Sequence, residues 1–155
     1  TPIMFRWPAK ISPLINSTEL ASNLDLLPTI LKACGIKPDE KMSGINLLNP
    51  KAVKKRKSIF LENFTHDMLD VDRPETALRA LSVVQQNWKL TLWTEPHPRL
   101  KSMSWQIGIP QEKVELFDLR KDPLESTNLA SQNPDLVQSL TAKMDSWWNP
   151  LQNKK

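Results

Sequence analysis

The sequence predicts an α/β fold of the α+β kind: a small four-stranded antiparallel sheet with a C-terminal helix, preceded by a strand and a helix. Four apolar segments with strand-like composition follow one another in the second part of the chain. The turn between the second and third segments has only two residues, Gln86-Asn87, and so short a connection requires antiparallel strands. The final segment has apolar residues at helical spacing, which indicates an amphipathic helix.

The first part of the chain contains one predicted strand and one predicted helix. The apolar run Ile3–Trp7 indicates a buried strand. A helix is expected from Asn23 or Asp25, which are good capping residues, to about Cys34, with Gly35 just after its end. Four apolar residues of this helix, Leu26, Leu27, Ile30 and Leu31, are expected to pack in a hydrophobic core. One strand and one helix bury too little surface to be stable alone, so we expect this part to belong to a larger domain with residues before Thr1.

The second part of the chain is expected to form the sheet and its covering helix. Residues 36–56 are predicted to be a loop region, because Pro38, Gly44 and Pro50 interrupt it. The four predicted strands are Ser58–Glu62, Leu78–Gln85, Trp88–Trp93 and Val114–Asp118. Asn133-Pro134 is a typical helix start. The apolar stripe that should cover the sheet comprises Leu136, Leu140, Met144 and Trp147.

Charge and composition exclude several classes of protein. The chain has 155 residues and a formal net charge of +4, and most of the excess lies in one basic run at Lys51–Lys57. Such a run is either a solvated approach to a strand or an anion-binding patch, and no aromatic side chain interrupts it, so nucleic acid is not expected as a partner. No apolar stretch has the length of a membrane span. One cysteine excludes a disulfide framework, and three scattered glycines exclude phosphate-binding loops.

The chemistry-bearing residues do not form a complete active site. Cys34 lies on the apolar stripe of a helix and is expected to be a packed, structural thiol. His66 and His97 each lie in a polar loop, where a histidine is either a surface residue or a binding group. The acidic residues near His66, which lack the spacing of a calcium loop, are Asp67, Asp70 and Asp72. No metal site is therefore expected in this chain.

Five segments in the same order carry a family resemblance. The most specific runs from Glu-Leu-Phe-Asp-Leu at 115–119 through Asp122-Pro123 and Glu125 to Asn-Leu-Ala at 128–130. The other four segments are Arg6–Ile11, Asp25–Thr29, Ser43–Leu48 and Trp88–Leu90. Together they resemble the C-terminal region of the type I sulfatases, the arylsulfatase and glycosaminoglycan-sulfatase family within the alkaline-phosphatase-like superfamily.

The resemblance implies a fragment of a sulfuric ester hydrolase. Residues 1–56 would be the C-terminal edge of the alkaline-phosphatase-like catalytic domain, and residues 57–155 a C-terminal antiparallel subdomain. Family members hydrolyse sulfate esters with a calcium ion and a formylglycine made from the Cys of Cys-x-Pro-Ser-Arg, whereas Cys34 is followed by Gly-Ile-Lys-Pro. No catalytic residue maps onto this chain. The fragment is expected to be inactive, its partner is the missing N-terminal catalytic domain, and its compartment is exported or lysosomal.

Two loops are candidates for substrate contact under the same resemblance. They are residues 63–72 and 95–104, and His66, His97 and Arg99 would contact a sulfated carbohydrate or an aryl sulfate, unless the loops are ordinary surface. Two alternatives stay open: a standalone module that binds a sulfated glycan through Lys51–Lys57, and a purely structural buttress. We also expect exposed apolar surface around Ile3–Trp7 and Leu26–Leu31, where the catalytic domain would pack.

Overall fold

A computed structural model describes residues 2–66, 70–95 and 112–148 of the chain. The chain divides into two compact units, Thr1–Ile59 and Phe60–Lys155. The assignment of residues 1–56 to the edge of a catalytic domain stays a prediction. In the three described ranges, no helix is long and apolar enough to cross a membrane.

The first unit begins with an irregular segment, and the predicted strand at Ile3–Trp7 is wrong. Its residues have no strand partner, and the segment enters a tight turn in which the Trp7 carbonyl accepts hydrogen bonds from the amides of Lys10 (2.9 Å) and Ile11 (2.8 Å). An apolar run becomes a strand only when a neighbouring strand satisfies its amides and carbonyls. No strand among the described residues of this unit pairs with Ile3–Trp7.

Helix α1 spans Leu26–Ala33 and confirms the predicted helix. A single 3₁₀ turn, Asn23–Asp25, leads into it, and the Ser22 and Asp25 side chains cap that turn. The Ser22 hydroxyl accepts the Leu24 amide at 3.3 Å, and the Asp25 carboxylate accepts the Ser22 amide at 2.8 Å. Gly35 follows the helix with a φ of +77°, a left-handed conformation that glycine adopts without strain.

A second helix in this unit was not predicted. Helix α2 spans Pro50–Lys55, within the region expected to be a loop. The Asn49 side chain accepts the amides of Lys51 (3.1 Å) and Ala52 (3.3 Å), and Pro50 occupies the first helical position. A proline is typical both of the first position of a helix and of a loop, so Pro50 by itself does not distinguish the observed helix from the predicted loop.

The second unit is built on the predicted antiparallel sheet. Its strands are β1 (Ser58–Phe64), β2 (Leu78–Gln85), β3 (Trp88–Trp93) and β4 (Val114–Asp118), which lie in the order β1-β2-β3-β4. Strands β2 and β3 are antiparallel with Val83 opposite Leu90, and β3 and β4 are antiparallel with Leu90 opposite Leu116. Gln86 has a φ of +54° in the predicted two-residue turn. The strand predictions are confirmed.

Helix α3 covers one face of this sheet. It spans Pro134–Trp147, and its stripe buries Leu140 and Met144 completely. These two side chains pack with Val83, Leu90 and Leu116, all of them inaccessible to solvent, in one core. The predicted role of the C-terminal helix is therefore confirmed. The expected helix cap is wrong in detail, because the Asn133 side chain donates to the Leu129 carbonyl at 3.0 Å instead of accepting a helix amide.

Candidate functional site

The Asp25 carboxylate is the most heavily bonded charged group in the first unit. It is completely buried, and its two oxygens accept Arg56 Nη1 at 2.5 Å and Nη2 at 2.7 Å. The same oxygens accept the backbone amides of Ile45 and Ser22, each at 2.8 Å. One carboxylate thus joins the start of α1, the segment at Ile45 and the residue after α2.

The electrostatics of Asp25 favour its charged form. Burial acts most strongly and raises its pKa, but the hydrogen bond from Arg56 and those from the Ile45 and Ser22 amides together outweigh it, so the pKa lies below its ordinary value. A buried carboxylate with four donors has no oxygen left for a substrate or a metal ion. Asp25 is therefore a structural clamp.

Two neighbouring contacts hold the segment at 44–47 against α1. The Thr29 hydroxyl accepts the Leu47 amide at 2.9 Å and donates to the Ile45 carbonyl at 3.4 Å. At Gly44, an added Cβ would lie 2.0 Å from the Leu24 carbonyl oxygen, so only glycine allows this approach. The segments Asp25–Thr29 and Ser43–Leu48, which are separate parts of the family resemblance, are thus joined by hydrogen bonds.

The basic run at Lys51–Lys57 divides into two parts. The Arg56 side chain is only 12% exposed and belongs to the Asp25 clamp, so its inclusion in an anion-binding patch is wrong. Its guanidinium turns inward because a buried carboxylate requires a partner. Lys51, Lys54, Lys55 and Lys57 are exposed. We call these four lysines the basic face.

Exposed apolar side chains surround the start of α1. Leu24 is 58% exposed, Leu27 53% and Ile30 52%, and Leu26 is also exposed. The expectation that Leu26, Leu27 and Ile30 pack in a core is wrong within this chain, because nothing in the described part of the unit covers that side of the helix. The expectation of an exposed apolar surface here and around Ile3–Trp7 is confirmed.

Cys34 also departs from its prediction. Its thiol is free and exposed at the end of α1, and not packed in a core, because the stripe that carries it is the uncovered side of the helix. An open cleft of about 680 Å³ lies nearby, between Trp7–Leu14, the end of α1 and Asn46–Pro50. Its lining is mainly apolar, with Lys10 and Lys32 the lysines among the lining residues. The cleft extends the uncovered apolar surface of this unit.

The predicted substrate contacts are only partly within the described residues. His66 is exposed and follows β1 directly, after Thr65, whose amide donates to the Ala77 carbonyl at 2.8 Å. His97 and Arg99 lie outside the described residues, so the structure does not test whether the three candidates lie together. Their role in substrate contact stays a prediction.

Asp70, one of the acidic residues near His66, stabilises a turn. Asp70 accepts Arg73 Nε at 2.8 Å and the Asp72 amide at 3.0 Å, and the Arg73 hydrogen bond lowers the pKa of Asp70. Asp67 lies outside the described residues. Across residues 2–66, 70–95 and 112–148, no group of three or more histidine, cysteine or acidic side chains could hold a metal ion.

The polar side chains of the motif at 115–130 accept hydrogen bonds that hold the local backbone in place. The Asp118 carboxylate accepts Asn87 Nδ2 at 2.6 Å and the Arg120 amide at 3.1 Å, and the Asn87 bond, opposed by burial, lowers the pKa of Asp118. Asp122 accepts the amides of Ser126 (2.7 Å) and Thr127 (2.8 Å). Both aspartates thus accept backbone amides, which gives them a role in the fold and not in a reaction.

Sequence reasoning missed two other features of this unit. The Asn128 amide oxygen accepts the Leu116 and Ala130 amides, each at 3.0 Å, which ties the motif to β4. Phe60 stacks on Trp147 with ring centroids 4.8 Å apart. The second contact joins residues far apart in sequence, and only the aromatic composition of both segments could have suggested it.

Comparison with known proteins places these features in a family. A family model described as N-sulphoglucosamine sulphohydrolase, C-terminal, matches residues 1–153. An ulvan-active sulfatase from Formosa agariphila is 30% identical over 94% of this chain and 32% of its own length. An N-acetylgalactosamine-6-O-sulfatase from Bacteroides thetaiotaomicron is 27% identical over 94% of this chain and 26% of its own length.

A solved structure shares the fold. It is described in connection with the metabolism of multiple glycosaminoglycans by Bacteroides thetaiotaomicron, and it superposes with a TM-score of 0.61 at 22% identity, over 87% of this chain and 28% of that one. This chain thus spans about a third or less of the proteins that it matches. The match over residues 1–153 shows that the chain belongs to the N-sulphoglucosamine sulphohydrolase C-terminal family, the C-terminal region of the type I sulfatases.

Proposed function

We propose that this chain is the C-terminal part of a sulfuric ester hydrolase that acts on a sulfated sugar. The observation that carries the proposal is the family match over residues 1–153, together with curated relatives that are named as sulfatases. One of those names specifies a sulfated amino sugar, which is the substrate class that we propose. The chain covers about a third of such a protein, so the activity belongs to the whole enzyme.

The cofactors implied by the family do not fit the residues of this chain. Cys34 lacks the Cys-x-Pro-Ser-Arg context from which formylglycine is made, since Gly-Ile-Lys-Pro follows it. In the part of the chain that the structure describes, no cluster of ligands suits a calcium ion. Both groups are therefore assigned to the remainder of the enzyme, and no catalytic step is derived from the residues present.

The role that we assign to the first unit is to pack against the catalytic part. Its exposed side chains Leu24, Leu27 and Ile30 lie along one short stretch, whereas single exposed apolar residues scattered over a surface need no partner. Covering the exposed half of Leu27 or Ile30 would contribute roughly 1 kcal/mol each. This supports a buttress that is part of the enzyme, and the alternative of a purely structural domain differs from it only in lacking substrate contact.

Substrate contact is proposed for the loops at 63–72 and 95–104 through His66, His97 and Arg99. The supporting observation is that His66 is exposed directly after β1. A His66→Gln change in the full-length enzyme should raise KM for a sulfated sugar and leave kcat nearly unchanged. An unchanged KM would leave the loop with no part in binding.

Sulfate release by the full-length enzyme tests the proposed function. The coding sequence before Thr1 should contain a Cys-x-Pro-Ser-Arg motif or its serine variant, and a leader for export or lysosomal delivery. Purified enzyme should release inorganic sulfate from a panel of sulfated monosaccharides, and replacing the Cys of that motif with Ala should abolish release. Absence of the motif, or no sulfate release from any member of the panel, would overturn the proposal.

A further inference from the structure

We propose that the basic face, Lys51, Lys54, Lys55 and Lys57, binds a chain of sulfated sugars. The inference rests on the proposed function, because it takes the substrate class to be a sulfated carbohydrate. It adds that the enzyme holds an anionic polymer at a surface of this C-terminal part, through sulfate groups other than the one that reacts.

The geometry of α2 gathers three of these charges on one side. Lys51, Lys54 and Lys55 occupy positions i, i+3 and i+4, which lie on the same face of a helix, and they are all exposed. Lys51 and Lys55 are about 6 Å apart along the helix axis. Ala52 and Val53, on the other side, are half-buried.

Lys57 adds a fourth charge at the end of the helix. Its ammonium group donates to the Lys54 carbonyl at 3.3 Å, so it stays close to the end of α2. The stretch of an extended anionic chain that lies along α2 would thus meet lysine ammonium groups from the first turn of the helix to the residue after its end.

These charges have no counter-charge in the described ranges 2–66, 70–95 and 112–148. None of the four lysines forms an ion pair there, whereas Lys37, Lys89 and Lys121 each pair with a carboxylate. Lys51 is in the first turn of α2, where the helix dipole disfavours a positive charge, and the lysines at i+3 and i+4 repel it further. A polyanion would relieve both effects.

The helix is fixed before any ligand arrives. Asn49 caps its first turn through the amides of Lys51 and Ala52, and Arg56 anchors its end in the buried pair with Asp25. Binding therefore orders only lysine side chains and not the backbone, which reduces the entropic cost of association. The inward-facing Arg56 thus fixes the end of α2, and the four lysines of the basic face point to solvent.

The chemistry of the face favours a sulfated polysaccharide over a nucleic acid. No aromatic side chain occurs between Pro50 and Lys57 on which a base could stack. Lysine acts as a point charge, and a row of such charges suits sulfate esters and phosphodiesters alike, so the absence of a stacking aromatic side chain is what argues against a single-stranded nucleic acid. Neither a backbone anion pocket nor a bidentate arginine is required.

The test compares heparin binding by three variants of the full-length enzyme. The neutralised variant is Lys51→Gln, Lys54→Gln and Lys55→Gln. The charge-retaining variant is Lys51→Arg, Lys54→Arg and Lys55→Arg. The control variant removes the same charge at exposed lysines elsewhere, Lys37→Gln, Lys41→Gln and Lys121→Gln. Heparin affinity is measured by titration between 50 and 200 mM salt, and hydrolysis of a monosulfated monosaccharide is measured in parallel.

The expected result is specific to the neutralised variant. Its heparin affinity should fall at least tenfold at low salt, and its slope of log affinity against log salt should decrease by about three, one for each lost contact. The charge-retaining variant should bind normally, the control variant should lose less than threefold, and monosaccharide hydrolysis should be unchanged in all three.

Three results would overturn the inference. The first is an equal loss of heparin affinity in the control variant. The second is single-stranded RNA that competes with heparin equally well at the same charge concentration. The third is a neutralised variant that loses thermal stability but not heparin affinity, which would mean that the enzyme itself covers the basic face. Heparin binding without any monosaccharide hydrolysis would instead refute the proposed function and leave the binding surface in place. The two failures are thus distinguishable.

Discussion

The Asp25–Arg56 ion pair leads to the sharpest prediction about stability. In the variant Arg56→Met, the carboxylate stays completely buried but loses both guanidinium hydrogen bonds, at 2.5 and 2.7 Å. Removing one partner of a buried pair costs about 3–5 kcal/mol, because the remaining charge is uncompensated. Methionine keeps the length and much of the volume of the arginine stem, so the loss reports the charge and not a cavity.

Amide hydrogen exchange in the full-length enzyme measures this loss locally. The Ile45 and Leu47 amides donate to Asp25 and Thr29, and a peptide spanning 43–48 reports their opening. A loss of about 3–5 kcal/mol corresponds to exchange that is about 140- to 4,000-fold faster at pH 7, since about 1.4 kcal/mol is tenfold. The matched control Arg73→Met removes an exposed pair with Asp70 and should change exchange by less than about threefold.

The pH dependence of the same variant tests the sign of the argument. The folded pKa of Asp25 is below its ordinary value, so the stability that its ionisation contributes is present at neutral pH and is lost as pH falls through the folded pKa. Both proteins carry a neutral Asp25 at sufficiently acid pH, so the difference between the enzyme and Arg56→Met should shrink below about pH 4. Unchanged exchange at pH 7, or a difference that does not shrink in acid, would refute the reasoning.

Three further changes have defined outcomes. Gly44→Ala should lower the thermal midpoint much more than Gly35→Ala, because its Cβ meets the Leu24 carbonyl at 2.0 Å, while Gly35 has free space and only its positive φ to strain; equal losses would contradict the contact. Leu140→Ala should cost about 2–5 kcal/mol in urea unfolding monitored by tryptophan fluorescence, because its side chain is completely buried in the core, and a loss below about 1 kcal/mol would argue against that core. Leu27→Glu should lower the thermal midpoint of the full-length enzyme if the catalytic part covers α1, and an unchanged midpoint would leave that surface uncovered.

The parts of the fold that the sequence predicts well depend on local periodicity. The sequence of β3 alternates apolar and polar residues from Trp88 to Leu92, and α3 repeats its apolar residues every three or four positions, so both elements could be placed from a few neighbouring residues. The predicted strand at Ile3–Trp7 was wrong because a strand requires a partner, and an apolar run carries no information about whether one is present.

The parts that could not be predicted depend on contacts between distant residues. Arg56 lies inside a run of lysines and shares their composition, and only its contact with Asp25, far away in the sequence, sets it apart. The helix α2 was missed because its proline signal has two meanings. For the candidate site, the sequence places His66 on a loop after β1, as the structure does, but whether that loop contacts substrate depends on the remainder of the enzyme.

The order of strands in the sheet has a consequence for how the chain folds. Because β1, β2, β3 and β4 are neighbours in space in the same order as along the chain, each strand adds to the one made just before it. Only the β2–β3 connection is short, at two residues, whereas 13 residues separate β1 from β2 and 20 separate β3 from β4, so the β2–β3 hairpin closes with the least loss of chain entropy. We therefore expect the β2–β3 hairpin to form first, and β1 and β4 to join its two edges later, at the cost of closing their longer connections.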